Sequence, residues 1–142
     1  MIYTDKTKKA MKLCFEAHKD QKDKSGIPYV FHPIHLAEQM TSEKATIVAL
    51  LHDVIEDTEY TISDLAKEGF DDEVLDAIIL MTHDDNVKYM DYVREIGKNP
   101  IAKEVKLADL RHNSDLTRLD VVDEKALERR DNYLKAIAFL EK

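Results

Sequence analysis

With 142 residues, the chain suits one domain, 1–142, built on a single core, and leaves little room for a second. A net charge of −8 argues against broad nucleic-acid binding, which needs a basic face to displace counterions. The single cysteine rules out an internal disulfide, and no apolar run approaches the ~18 residues of a membrane span.

Three glycines, three prolines and an abundance of Ala, Leu, Lys, Glu and Asp predict an all-α protein. The N-terminal MIYTDKTKKAMK has no apolar core of signal-peptide length, so the expected setting is reducing and cytoplasmic. A first helix is predicted over about 4–18, with Ala10, Leu13, Cys14 and Ala17 on one face. Cys14 reads there as a small apolar filler. A polar loop follows, marked by Ser25-Gly26 and Pro28, and Pro33 suits the first turn of a short helix reaching about Met40. Ser42 is a candidate cap for the most apolar helix, 42–57, which is predicted to be central. Thr61 and Asp64 spell a capping box for a helix that Gly69 stops. Helices over about 72–81, 86–96, 100–119 and 123–140 complete a compact single-domain bundle of seven or eight helices, in which 42–57 and 100–119 pack together.

The chemistry is carried by polar residues that interrupt apolar helices. His52-Asp53 lies inside TIVALLHDVIEDT, the most hydrophobic segment, where a buried imidazole and carboxylate are costly without a partner. Taken alone, the pair is better explained as a hydrogen-bonded core pair. His32 in YVFHPIHL and Asp109 in VKLADL stand in equally apolar surroundings. Together the four form a set of nitrogen and oxygen donors that can converge on one cation. On an unbroken helix His52 and Asp53 diverge by about 100°, so the ion would have to lie beside the helix.

Three segments, KSGIPYVFHP, LLHDVIEDT and VKLADLRHN, resemble the HD-domain hydrolases of the RelA/SpoT type, in particular the small single-domain alarmone hydrolases. The likeness covers nearly the whole chain, and HDVIEDT is far more specific than HD alone. It implies an HD-type helical bundle that removes the 3′-pyrophosphate from (p)ppGpp. It also implies His32, His52, Asp53 and Asp109 as ligands of one divalent ion, usually Mn²⁺. Without a thiolate, that donor set suits a borderline-hard cation with room for water. Glu56 and Asp57, one turn beyond, are implied to position or deprotonate the attacking water, with Glu56 on the face of His52 and Asp57 on that of Asp53. Lys24, Ser25 and Tyr29 match the part of the motif around the nucleotide, and Asn113, which shares a helix face with Asp109, matches a substrate contact. His35 lies outside the pattern and is expected to pack or support, as are His18, His83 and His112.

The likeness departs at two places. Asp23 stands where the alarmone hydrolases carry an arginine that packs on the guanine, and Ser114-Asp115-Leu116 replaces the usual Met-Arg-Thr. The metal and catalytic positions survive both changes, while base recognition does not follow from them. An HD phosphohydrolase of other specificity, such as a nucleotidase or phosphodiesterase, is the alternative. A non-catalytic nucleotide sensor is a further one. The chain also lacks space for the synthetase domain of the long relatives, so degradation alone is expected.

Overall fold

Side-chain caps decide where the helices begin. In a computed structural model describing residues 1–142, Thr4 and Thr7 exchange hydrogen bonds, Thr4 N–H to Thr7 Oγ1 at 2.7 Å and Thr7 N–H to Thr4 Oγ1 at 3.1 Å, opening α1 (Asp5–His18). Helix α2 (Phe31–Glu38) carries Pro33 in its first turn, where no amide hydrogen is missed. The Ser42 hydroxyl accepts from Ala45 N–H at 3.1 Å and starts α3 (Glu43–Leu51); α4 (Val54–Asp57) follows after a break. The Thr61–Asp64 capping box forms at the head of α5 (Ile62–Lys67), and Gly69 ends that segment at φ +89°, a conformation that favours glycine. Beyond it lie α6 (Asp72–Met81), α7 (Tyr89–Ile96), α8 (Pro100–Asn113) and α9 (Glu124–Leu140). Asn99 and Asp123 cap α8 and α9. There is no strand, and α4 taken with α3 makes eight helices.

Helix α3 is apolar on every side and has become the hub. Ala45 through Leu51 are all buried, and the helix packs against α1, α2, α6 and α8. The pairing of α3 with α8 brings His52 within 3.6 Å of Asp109. Leu50, wholly buried here, tests the hub directly: Leu50→Ala should cost about 2–5 kcal/mol, read from urea unfolding. A loss under about 1 kcal/mol would be incompatible with a close-packed α3. Cys14 is buried on α1 and burial pushes its thiol up to about 12, in keeping with a filler role. No helix is long and apolar enough to cross a membrane.

Three boundaries differ from the sequence reading. The helix expected over 42–57 breaks at His52-Asp53, where Asp53 takes φ −103°, ψ 0°, in the sparsely allowed bridge region. Helix α7 starts at Tyr89, not Asn86, because Asp84 Oδ1 accepts the Asn86 N–H and holds 84–88 as a loop. The helix expected over 100–119 ends at Asn113. Asp115 Oδ1 accepts from both the N–H and the hydroxyl of Thr117, and the chain restarts as a 3₁₀ turn over Leu116–Arg118.

Candidate metal centre

Where α2, α3 and α8 meet, four donors from distant parts of the chain face one another. His32 comes from the first turn of α2, His52 and Asp53 from the break between α3 and α4, and Asp109 from the last turns of α8. His32 Nε2 lies 2.9 Å from Asp109 Oδ1. His52 Nε2 lies 3.0 Å from Asp53 Oδ2 and 3.6 Å from Asp109 Oδ1. One ligand atom each of His32, His52 and Asp109 fits within 4.8 Å of the others, and these three residues are buried while Asp53 is half-buried. The break in the helix explains the convergence. A regular helix would turn adjacent side chains about 100° apart, whereas the bridge-region Asp53 folds its carboxylate back toward His52.

Whether these residues suit a cation can be judged from His52. Its Nδ1 sits 2.7 Å from the Ala49 carbonyl oxygen, which can only accept, so Nδ1 carries a proton. Its buried Nε2 has no hydrogen-bond partner. The Asp53 oxygen, although within 3.0 Å, lies off the direction in which a ring N–H would point. Burial alone would strip the second proton from the ring, yet Asp53 and Asp109 hold His52 well above its usual range. An unpartnered imidazole nitrogen beside two carboxylates makes a set of donors that a divalent ion would complete.

The surrounding shell fixes these donors. Burial would raise the Asp109 carboxyl, but Lys106 and the imidazoles of His32 and His52 bring it well below the ordinary range. Lys106 Nζ donates to Asp109 Oδ2 at 3.0 Å and Asn113 Nδ2 donates to Oδ1 at 3.0 Å. Burial works against the charge on Lys106, which Asp109, then Tyr92 and Tyr89, more than restore; Nζ stands over the Tyr92 ring, 5.2 Å from its centroid. The Tyr29 hydroxyl donates to Asp53 Oδ2. On the far side of His32, its Nδ1 lies 2.7 Å from His112 Nδ1. Burial, then the charges of Arg118, His32 and His35, push His112 down to about 4, which keeps its ring neutral near pH 7, with one nitrogen to donate and one to accept. With a cation held by Nε2, the single proton of the His32 ring would sit on Nδ1 and make His32 the donor to His112. His35 is exposed and stacks on His112 at 4.1 Å, a supporting role.

Glu56 and Asp57 form a second carboxylate group with Asp53, all three within 4.8 Å. The face assignment made for an unbroken helix therefore changes: Glu56 joins Asp57 beside Asp53, not His52, because α4 is a separate turn. Glu56 Oε1 accepts the His83 N–H at 2.9 Å, and Gln21 Nε2 donates to the Asp57 carbonyl at 3.0 Å. Partial enclosure and the neighbouring Asp53 raise both carboxyls above their usual range, a shift toward the pH at which a base is useful. The three carboxylates, Asp109, Lys106 and Asn113 line one cavity of about 270 Å³.

A second cavity of about 310 Å³ adjoins it, sharing Asn113 and Tyr133 and lined also by Lys24, Tyr29, Arg118 and Arg129. Of the four residues expected around a nucleotide, Lys24, Tyr29 and Asn113 line this cavity and Ser25 does not. The Ser25 hydroxyl donates to the Arg118 carbonyl at 2.8 Å and accepts the Asp120 N–H at 3.2 Å, which pins the loop. Asp23 has a local duty too: its Oδ1 accepts the N–H groups of Ser25 at 2.8 Å and Ile27 at 3.0 Å. The sequence reading passed over Lys106, Arg118, Arg129 and Tyr133. Lys106 had a signal, since it stands three residues before Asp109 in an apolar stretch; the others had none.

No protein-family model matches the chain. It is 38% identical over 109 residues to a GTP pyrophosphokinase of Streptomyces coelicolor, a match covering 68% of this chain and 13% of that protein. A probable GTP pyrophosphokinase of Mycobacterium leprae is 30% identical over 143 residues, 92% of this chain and 18% of the relative. A guanosine-3′,5′-bis(diphosphate) 3′-pyrophosphohydrolase of Borreliella burgdorferi is 36% identical over 120 residues, 74% of this chain and 18% of the relative. The chain thus spans less than a fifth of the length of these curated relatives, whose names cover both synthesis and hydrolysis. A solved metazoan orthologue of SpoT that hydrolyses ppGpp shares the fold, with a TM-score of 0.77, 24% identity, and coverage of 99% of this chain and 87% of that one. In sequence and in its helical architecture, this chain is an HD-type member of the RelA/SpoT family.

Proposed function

We propose that the chain is a cytoplasmic Mn²⁺-dependent phosphohydrolase that removes the 3′-pyrophosphate from ppGpp, pppGpp or a closely related nucleotide. One observation supports this most: two imidazoles and two carboxylates converge beside a separate pair of raised carboxyls, Glu56 and Asp57. His32, His52, Asp53 and Asp109 hold the ion. When bound, it supplies a polarised phosphoryl oxygen and a bound water of lowered pKa. Lys106 and Asn113 orient Asp109, and Tyr29 orients Asp53. Glu56 and Asp57 align the water and take its proton as it attacks the phosphorus. The bond from that phosphorus to the ribose 3′-oxygen breaks, pyrophosphate leaves, and the 3′-oxygen takes a proton from solvent to become a hydroxyl. Lys24, Tyr29 and Asn113 receive the nucleoside in the 310 Å³ cavity.

A different nucleotide specificity is favoured by Asp23, whose carboxylate shapes the loop where the alarmone hydrolases carry a cation. Product analysis separates the two readings. The Mn²⁺-loaded protein should convert ppGpp to GDP and pyrophosphate and leave GTP, GDP and cyclic nucleotides intact. Phosphate release from those, with ppGpp unchanged, would reverse the assignment.

A further inference from the structure

Arg118 stands in the wall between two cavities. The 310 Å³ cavity and a larger one of about 520 Å³ on the other side share Asp23, Tyr29 and Arg118. Its backbone is held from two directions: Ser25 Oγ donates to its carbonyl at 2.8 Å, and its own N–H donates to the Asp115 carbonyl at 3.3 Å. The side chain is half-buried. Nη1 donates to the His112 carbonyl at 2.9 Å and to Asn113 Oδ1 at 3.3 Å. Asn113 in turn donates to Asp109, so this guanidinium stands one residue away from the candidate metal centre.

Arg118 shares with Arg129, on the same cavity wall, the lack of a carboxylate partner. Arg94, Arg111 and Arg130 each form an ion pair; Arg118 forms none, in a chain of net charge −8 and with Asp23 on the same cavity walls. Closing the end of α8 occupies only the two donors of Nη1. A guanidinium has five, which leaves Nε and Nη2 for a ligand. A fixed, unpaired fork of donors beside Lys24 and Arg129 is suited to an anionic oxygen group. We propose that Arg118 binds a phosphate group of the nucleotide held in the 310 Å³ cavity. The assignment rests on the nucleotide-binding part of the function proposed above and does not need its catalytic part.

Calorimetric titration of the 142-residue, Mn²⁺-loaded chain with GDP, and with guanosine as a phosphate-free control, tests it. Arg118→Gln should weaken GDP binding about tenfold, the scale of one charge-assisted contact, and change guanosine binding less than about twofold. Arg118→Lys keeps the charge and a donor for the α8 carbonyl and should fall between the two. Mn²⁺ affinity should be the same in all three proteins. Unchanged GDP affinity in Arg118→Gln, an equal loss for guanosine, a parallel loss of Mn²⁺, or a wild type that binds no GDP would each overturn the proposal. Pyrophosphate release from ppGpp by the wild type, measured alongside, keeps the two ideas apart. If it is absent while the GDP effect holds, the hydrolase reading falls and Arg118 keeps its role.

Discussion

His52→Ala is expected to abolish Mn²⁺ binding and turnover together while leaving the helical content of the protein intact. His52 closes α3 and its Nε2 reaches two of the other candidate ligands at once, so its loss leaves Asp53 and Asp109 facing each other without the nitrogen between them. The helix itself is held by packing, since Ala45 through Leu51 remain buried without the imidazole. A thermal readout follows from the same geometry. An ion that binds only the folded chain stabilises it by about 2.7 kcal/mol at a hundred times its Kd, equivalent to about 5–10 °C in Tm for a domain of this size. Wild-type Tm should rise with added Mn²⁺, and the Tm of His52→Ala should not move. A variant that keeps the Mn²⁺-dependent shift would remove His52 from the ligand set.

Glu56→Gln separates chemistry from metal binding. The carboxylate is tied by the His83 amide and lies with Asp53 and Asp57, while the imidazoles meet on the other side of Asp53. Glutamine keeps the shape and can still accept the His83 N–H, but it cannot take a proton. Turnover should fall on the order of 10²–10⁴-fold, the usual cost of a missing general base, at unchanged Mn²⁺ affinity. Loss of the metal together with activity would make Glu56 a ligand. Asp57→Asn, with Asp57 beside the same carboxylates, tells whether the two share the work: a comparable loss implies a joint role, and a small one leaves Glu56 as the base.

The fold and the donors were legible because both rest on patterns confined to short stretches. Apolar spacing and capping residues such as Thr4, Ser42, Thr61, Asn99 and Asp123 fix most helix starts locally. His52-Asp53 was visible because polar groups within α3 demand a partner. The break at Asp53 was not visible, because TIVALLHDVIED reads as continuous helix and the bend occurs where the segment packs against α1, α2 and α8, which the local sequence does not reveal. The same limit applies to Asp23. As a sequence position it stands where a base-stacking cation is expected. In the structure its carboxylate caps the Ser25 and Ile27 amides, so Asp23→Arg would also loosen the loop that carries Lys24. Arg118 was hidden for a related reason. Nothing local marks it, and its position depends on a helix that stops at Asn113 and a turn set by Asp115.

Pyrophosphate release from ppGpp by metal-stripped protein, with Mn²⁺ restored stepwise, tests the centre most directly. No release is expected from the stripped chain, with activity returning in proportion to Mn²⁺ and levelling off near one ion per chain. Hydrolysis at the full rate by the stripped protein, or none after Mn²⁺ is restored to a folded wild type, would contradict a metal-dependent hydrolase built on His32, His52, Asp53 and Asp109.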